Sequence, residues 1–100
     1  MPNGDDVLRS DDFQEYPIDG ILDLHQFNPS DISSLIPEYI SECIKADIGQ
    51  IRIIHGKGTG QLRRGVEVLL KRDARVISYE IAKDSSSWGA TWVSLRLDRL

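Results

Sequence analysis

The chain predicts an α/β domain: a two-layer α/β sandwich of order βαβαββ, with a four-stranded, mostly parallel (mixed) sheet and two helices on one face. Three observations predict it. Two short apolar runs, "ILDL" (21–24) and "IRII" (51–54), each lead through a loop into a stretch whose apolar residues recur three and four apart. Two later runs alternate with period two, as half-buried strands do. And 100 residues suffice for one hydrophobic core and not for two.

Each element follows in order. Residues 1–16 are polar, acidic and aperiodic, the composition of a disordered tail, and the domain is expected over 17–100. "IDGILDLH" (18–25) reads as the first strand, with Leu22 and Leu24 on one face and Ile21 and Asp23 on the other. "NPSD" (28–31) opens a helix, with Asn28 as cap, Pro29 in the first position and Asp31 near the positive end of the dipole. Ile32, Leu35, Ile36, Tyr39, Ile40, Cys43 and Ile44 form its apolar stripe. Pro37 inside the stripe predicts a kink or a start one turn later, and Gly49 is the expected terminator.

"IRIIH" (51–55) is the second strand. The second helix begins at about 59–61 and carries Leu62, Val66, Leu69 and Leu70 on one stripe. "RVISYEIA" (75–82) alternates so as to place Ile77, Tyr79 and Ile81 together. "ATWVSLRL" (90–97) places Thr91, Val93, Leu95 and Leu97 on one face and Trp92, Ser94 and Arg96 on the other. Strand–helix–strand crossovers are right-handed, and successive ones in one direction leave both helices on the same face. The last strand is expected to run antiparallel. The uncovered face then suits Asp23, Arg52, Ser78 and Arg96.

Several classes fall away. The apolar runs are too short for a membrane helix, the N-terminus lacks the layout of a signal peptide, and the single Cys43 forms no internal disulfide. A cytoplasmic protein, monomeric by default and with no membrane partner, is the simplest expectation. The net charge of −4 argues against a polyanion partner only until its distribution is read. Residues 1–20 hold six acidic side chains against Arg9, whereas 49–83 hold eight basic ones against Glu67, Asp73 and Glu80. That asymmetry keeps nucleic acid open as a partner.

The two histidines occupy equivalent places. His25 follows "ILDL" and His55 follows "IRII", so parallel strands would put both at the carboxyl edge of the sheet, where α/β folds bind ligands. A lone strand-end histidine is ordinarily structural; two at equivalent positions, one beside Asp23 and one beside a glycine loop, point to a site. In "HGKGTGQLRR" (55–64), Gly56, Gly58 and Gly60 allow positive φ and close approach of an anion. Thr59 and the following helix N-terminus add free N–H groups, and Lys57, Arg63 and Arg64 add charge. A plain glycine turn is the alternative; the basic flanks favour an anion site. Neither a Walker A nor a dinucleotide spacing is present. Trp88 either covers the end of the core or stacks on a base.

"LDLH" (22–25), "IIHGKGTGQLRRGV" (53–66) and the Gly-Ala-Thr-x-Val run at 89–93, in that order, resemble the Smr (Small MutS-Related) domain over roughly residues 18–97. The resemblance implies a fold similar to the C-terminal domain of translation initiation factor 3. It also implies DNA nicking, RNA cleavage or nucleic-acid binding, with a link to DNA repair or recombination. On this reading Asp23, His25 and His55 are the catalytic candidates. Arg52, Gly56, Lys57, Gly58, Thr59, Gly60, Arg63, Arg64 and Trp88 are the nucleic-acid-binding ones, and Asp23 would be the ligand of any divalent cation such as Mg. One position departs from the family pattern, which usually continues LDLH with glycine: here Gln26 and Phe27 follow, and a side chain at 26 narrows the space beside His25. A non-catalytic binding module for structured or branched nucleic acid is the alternative function, and a protein-interaction domain is a third.

Overall fold

A computed structural model of the chain describes residues 16–56, 58–82 and 89–97. Its strands are β1 (Ile21–Asp23), β2 (Gln50–Ile54), β3 (Val76–Ile81) and β4 (Ala90–Leu95); its helices are α1 (Ile32–Lys45) and α2 (Gln61–Arg72). The sheet order is β1-β2-β4-β3, with β1 parallel to β2 and β4 antiparallel to both its neighbours. Three strands therefore run one way, and the antiparallel last strand lies between β2 and β3. Only one of the three ladders is parallel, because the short connection from β3 lets β4 fold back beside it at once.

Both helices cover one face. Ile36, Tyr39, Ile40 and Cys43 of α1 and Val66 and Leu70 of α2 form one buried cluster with Leu22, Ile51, Ile53, Val93 and Leu95 of the sheet. Burying each such side chain is worth roughly 1.5–3 kcal/mol, so this contact between layers holds the helices more than their propensity does. Burial also pushes the Cys43 thiol up to about 11, which makes it an inert core residue as expected.

Local details depart from the expectations in instructive ways. Asn28 makes no side-chain cap; its carbonyl accepts from Asp31 N at 2.9 Å and closes a 3-10 turn, Pro29–Asp31. α1 begins after this turn and continues through Pro37. The proline costs one backbone bond, and its own carbonyl accepts from Arg75 Nη2 at 3.2 Å. Arg75 also donates to Ser41 Oγ at 2.6 Å and pairs with Asp73 at 2.7 Å, which ties the start of β3 to α1.

Gly49 does not end the helix. Asp47 takes the left-handed conformation (φ 65°), while Ile48 N bonds Cys43 O at 2.8 Å and Asp47 N bonds Ile44 O at 3.0 Å. This is the paired-bond stop usually built on glycine, here built on one of the few side chains that tolerate it. In β3 the strict alternation also fails. Val76 faces Leu95 and Ser78 faces Ser94, so Ile77 is the extra residue of a bulge and is 60% exposed. Val76 and Tyr79 turn to the core instead of Ile77.

The uncovered face carries the cross-strand row Ile21, Arg52, Trp92 and Glu80. The Arg52 guanidinium lies 5.5 Å from the Trp92 ring centroid. Among the described residues no helix is long and apolar enough to cross a membrane.

Candidate functional site

β1 stops at Asp23 because the aspartate side chain competes for the backbone. Its Oδ1 accepts from His25 N at 3.0 Å and caps a 3-10 turn, Leu24–Gln26. The same oxygen lies 2.8 Å from His25 Nδ1. A carboxylate only accepts, so Nδ1 carries a proton, and in the neutral ring the lone pair is on Nε2. The backbone N–H of His25, followed by its ring N–H, holds the Asp23 carboxyl below the usual carboxylate range, so it is ionised at neutral pH. The expected pairing of Asp23 with His25 is thus present, through a turn and not through strand alternation. The dyad is open to solvent, with side-chain exposures of 59% for His25 and 38% for Asp23.

The free Nε2 lies over the glycine loop. A methyl group at Gly56 would stand 2.7 Å from it, and Gly56 has φ +83°. Glycine is required here twice over, by the close approach and by the left-handed backbone. The loop is held from behind by Gly89, whose carbonyl accepts from His55 N at 2.7 Å and Gly56 N at 2.8 Å. A methyl at Gly89 would come 2.9 Å from Gly56 Cα, so the two backbones pack directly on each other.

His55 is the opposite of His25. It is 4% exposed, and both ring nitrogens are engaged. Nδ1 lies 3.1 Å from Gly56 O and must donate to that carbonyl, so Nε2 is the acceptor for the Thr91 hydroxyl at 2.8 Å. Burial lowers its pKa, which keeps the ring neutral. Thr91 itself is fully buried and was not singled out from the sequence as a site residue. Its signal there is a hydroxyl in the inward series Thr91, Val93, Leu95, a polar group that must find a partner.

Beyond Gly56 the loop turns into α2. Gly58 and Gly60 both have positive φ, Gly60 caps the helix, and Thr59 Oγ1 accepts from Gln61 N at 3.3 Å. The guanidinium groups of Arg63 and Arg64 fold back over Gly60, within 3.6 and 3.2 Å of where its side chain would start. Arg63 Nε is buried without a hydrogen-bond partner among the described residues. A hollow of about 420 Å³ opens here, walled by His55, Gly56, Thr59, Leu62, Arg63 and Pro29. The positive end of the α2 dipole and the Arg63 guanidinium give this hollow the charge an anion would meet.

The structure therefore brings together Asp23, His25, Gly56, Gly58, Thr59, Gly60, Arg63 and Arg64, with His55 behind them. It does not bring Arg52, which sits mid-strand on the uncovered sheet face against Trp92. Lys57 and Trp88, and the tail through 15, lie outside the described residues. Among the described residues no three His, Cys, Asp or Glu side chains gather as a metal site. A divalent ion at Asp23 would share the carboxylate with His25 and draw its other ligands from substrate and water.

Comparisons with known proteins give the family and the fold. A sequence model of the Smr domain matches residues 22–96. The chain is 34% identical over 76 residues to a protein named endonuclease MutS2 from Acetivibrio thermocellus, covering 75% of this chain and 10% of that protein. It is 44% identical over 62 residues to endonuclease MutS2 of Leuconostoc mesenteroides, covering 61% and 8%. The chain thus spans about a tenth of the length of the curated relatives it matches. The crystal structure of the Smr domain of Thermus thermophilus MutS2 superposes with a TM-score of 0.70 at 31% identity, covering 76% of this chain and 96% of that domain. YdaL, a stand-alone small MutS-related protein from Escherichia coli, has the same fold, with a TM-score of 0.70 at 23% identity, covering 95% of this chain and 79% of that one.

Proposed function

The chain belongs to the Smr family, and on that footing we propose that it is a nucleic-acid phosphodiesterase in which His25 is the general base and the glycine loop holds the scissile phosphate. One observation carries this reading. Asp23 fixes His25 by a 2.8 Å bond to Nδ1, and Nε2 stands against Gly56, a residue that itself lines the hollow at the glycine loop. An exposed imidazole with an orienting carboxylate on one nitrogen and an anion cradle before the other is arranged to take a proton from a nucleophile attacking phosphorus.

The nucleophile is water or a ribose 2′-hydroxyl. His25 removes its proton as the bond to phosphorus forms, and Asp23 stabilises the imidazolium that results. The phosphorus–oxygen bond to the departing sugar breaks, its oxygen taking a proton from the imidazolium or from water. The loop amides, the α2 N-terminus and Arg63 hold the non-bridging oxygens as negative charge builds on them. His55 is a positioning residue in this scheme. Its bonds to Gly56 and Thr91 hold the loop under His25, and its two engaged nitrogens leave it no free lone pair for proton transfer. A divalent cation bound at Asp23 would add charge neutralisation at the phosphate. The name endonuclease borne by the MutS2 relatives is consistent with this activity, and a place in DNA repair or recombination would follow only from a DNA substrate.

The test is cleavage of supercoiled plasmid DNA and of structured RNA, with and without magnesium, by the wild type, Asp23→Asn and His25→Ala. The expected result is loss of cutting in both variants with binding largely kept. Undiminished cutting by both would remove His25 as the base, whereas binding with no cutting by the wild type would leave a binding module instead. The new ends identify the nucleophile: a 2′,3′-cyclic phosphate on RNA marks the ribose hydroxyl, and a 5′-phosphate on RNA, or any cutting of DNA, marks water.

A further inference from the structure

Two hollows open near the Asp23–His25 dyad, one bordered by Gly56 and the other by Asp23, and the charged residues that line them are of opposite sign. The one at the glycine loop is walled by His55, Gly56 and the loop residues 58–60, by the start of α2 and by Arg63, its one cationic side chain among the described residues. The other, about 220 Å³, lies on the Asp23 side and is walled by Tyr16, Phe27, Ile21, Asp19, Asp23 and Gln26. Tyr16 and Phe27 meet edge to face, with ring centroids 5.5 Å apart, and Tyr16 is backed by the buried Tyr39 at 5.9 Å. These rings and Ile21 form an apolar wall, while the polar groups at the rim are two carboxylates and one amide.

Such a lining rejects phosphate, since no residue among its walls is basic. It suits a flat, uncharged ring that offers N–H donors to carboxylates. Resting on the reading of the site as a phosphodiesterase, we propose that this hollow binds one unpaired guanine next to the scissile phosphate, and that Asp19 and Gln26 set this preference. Guanine alone among the four bases carries two adjacent N–H donors on its pairing edge, with a carbonyl beside them. A carboxylate accepts from both donors together, and the Gln26 amide donates to the carbonyl. Asp19 is the available carboxylate: it is exposed, and its Oδ1 takes a single bond from Ile21 N at 3.0 Å. Asp23 Oδ1 is already committed to His25.

The arrangement requires the base to leave a duplex, because its pairing edge is what the carboxylate reads. The chain then runs from the base hollow, past the dyad, to the phosphate hollow, so the substrate class is single-stranded or looped nucleic acid. The departure at Gln26 from the family's usual glycine acquires a use here. It narrows the approach to His25 and supplies the donor that separates guanine from adenine.

The test is an NMR titration of the full chain with guanosine 5′-monophosphate and, separately, uridine 5′-monophosphate, with cleavage assayed on the same preparations. In the wild type the guanine nucleotide should move the Tyr16 and Phe27 ring signals and the Gln26 side-chain amide, whereas the uridine nucleotide should move loop amides between 56 and 63 only. Gln26→Gly and Asp19→Asn should each weaken the guanine response on the order of tenfold, the scale of one bidentate base contact. Equal ring shifts with both nucleotides, no ring shifts with either, or unchanged guanine binding in both variants would overturn the proposal. Because binding is read directly, cleavage that persists beside a negative titration removes the base pocket alone, and a positive titration without cleavage removes the phosphodiesterase alone.

Discussion

The two histidines end similar apolar runs in two successive strand–loop–helix units, yet the ladder, which pairs Asp23 with Ile54, sets them one residue out of register, and the fold uses them in opposite ways. After β1, Asp23 turns the backbone into a 3-10 turn and carries His25 out to solvent, with one nitrogen fixed and one free. After β2, the chain is pinned to Gly89 and His55 is turned inward, where Thr91 and Gly56 O occupy both nitrogens. The difference lies in what stands beside each. β1 is an edge strand and passes into a 3-10 turn that buries Leu24 and leaves His25 exposed; β2 is flanked on both sides, and Gly89, just before β4, bonds the backbone of His55 and Gly56. One imidazole is therefore available for chemistry and the other for holding a loop in register.

The sharpest way to break this comparison is to remove each ring in turn. His25→Ala should lower the cleavage rate by roughly 10²- to 10⁴-fold, the usual contribution of a general base, with the melting temperature close to that of the wild type. His55→Ala should lower both, because it empties a buried site and frees the loop. The opposite pattern, an unmelted but inactive His55→Ala beside an active His25→Ala, would reverse the roles. A rate series and thermal melts on the same samples decide it.

Gly56→Ala attacks the contact between the two units. The added methyl meets His25 Nε2 at 2.7 Å, and the left-handed backbone penalises any side chain by roughly 1–2 kcal/mol. His25 must swing away from Asp23, so activity should fall nearly as far as in His25→Ala, with a fall in melting temperature of several degrees besides. Calorimetry beside the cleavage assay reads both.

Much of this was legible in the residues. The order of strands and helices, the two apolar stripes and the approach of Asp23, His25 and the glycine loop follow from patterns with a fixed period or spacing. What escaped prediction depends on pairing between distant segments. The position of β4 between β2 and β3 is a choice among strand neighbours that no single run encodes. The bulge at Ile77 is visible only against the partner strand, and Asp47 replaces Gly49 as the helix stop because an aspartate also takes positive φ. The inward turn of His55 follows from Thr91, thirty-six residues away along the chain, a partnership with no local signature.

Thr91→Val tests that partnership. Valine matches the shape but leaves His55 Nε2 buried without a donor, at a cost of about 1–3 kcal/mol. The pH dependence gives a second reading. His55 titrates lower in the fold than its ordinary value of 6.5, so the folded chain binds fewer protons than the unfolded one just below that pH. The stability this contributes is present above about 6.5 and is lost as pH falls. Asp23, lowered from 3.8, adds a smaller loss of the same sign at more acidic pH. Melting curves between pH 7.5 and 5 should slope downward for the wild type, and His55→Gln should remove that slope. A flat wild-type profile would contradict the buried neutral imidazole.

The smallest effects separate two arginines that sequence reasoning grouped together. Both keep a buried Nε with no hydrogen-bond partner among the described residues, but Arg63 lines the phosphate hollow, whereas Arg52 stacks on Trp92 across the uncovered sheet face. Arg63→Ala should weaken nucleic-acid binding and reduce the slope of log affinity against log salt by about one, as the loss of one phosphate contact does. Arg52→Ala should leave that slope unchanged and cost only the stacking energy, about 0.5–1 kcal/mol of stability. Binding isotherms at three or four salt concentrations distinguish them. An equal change of slope in both would mean that the bound strand crosses the open face as well as the loop, and would extend the site past Asp23 along the row Ile21, Arg52 and Trp92.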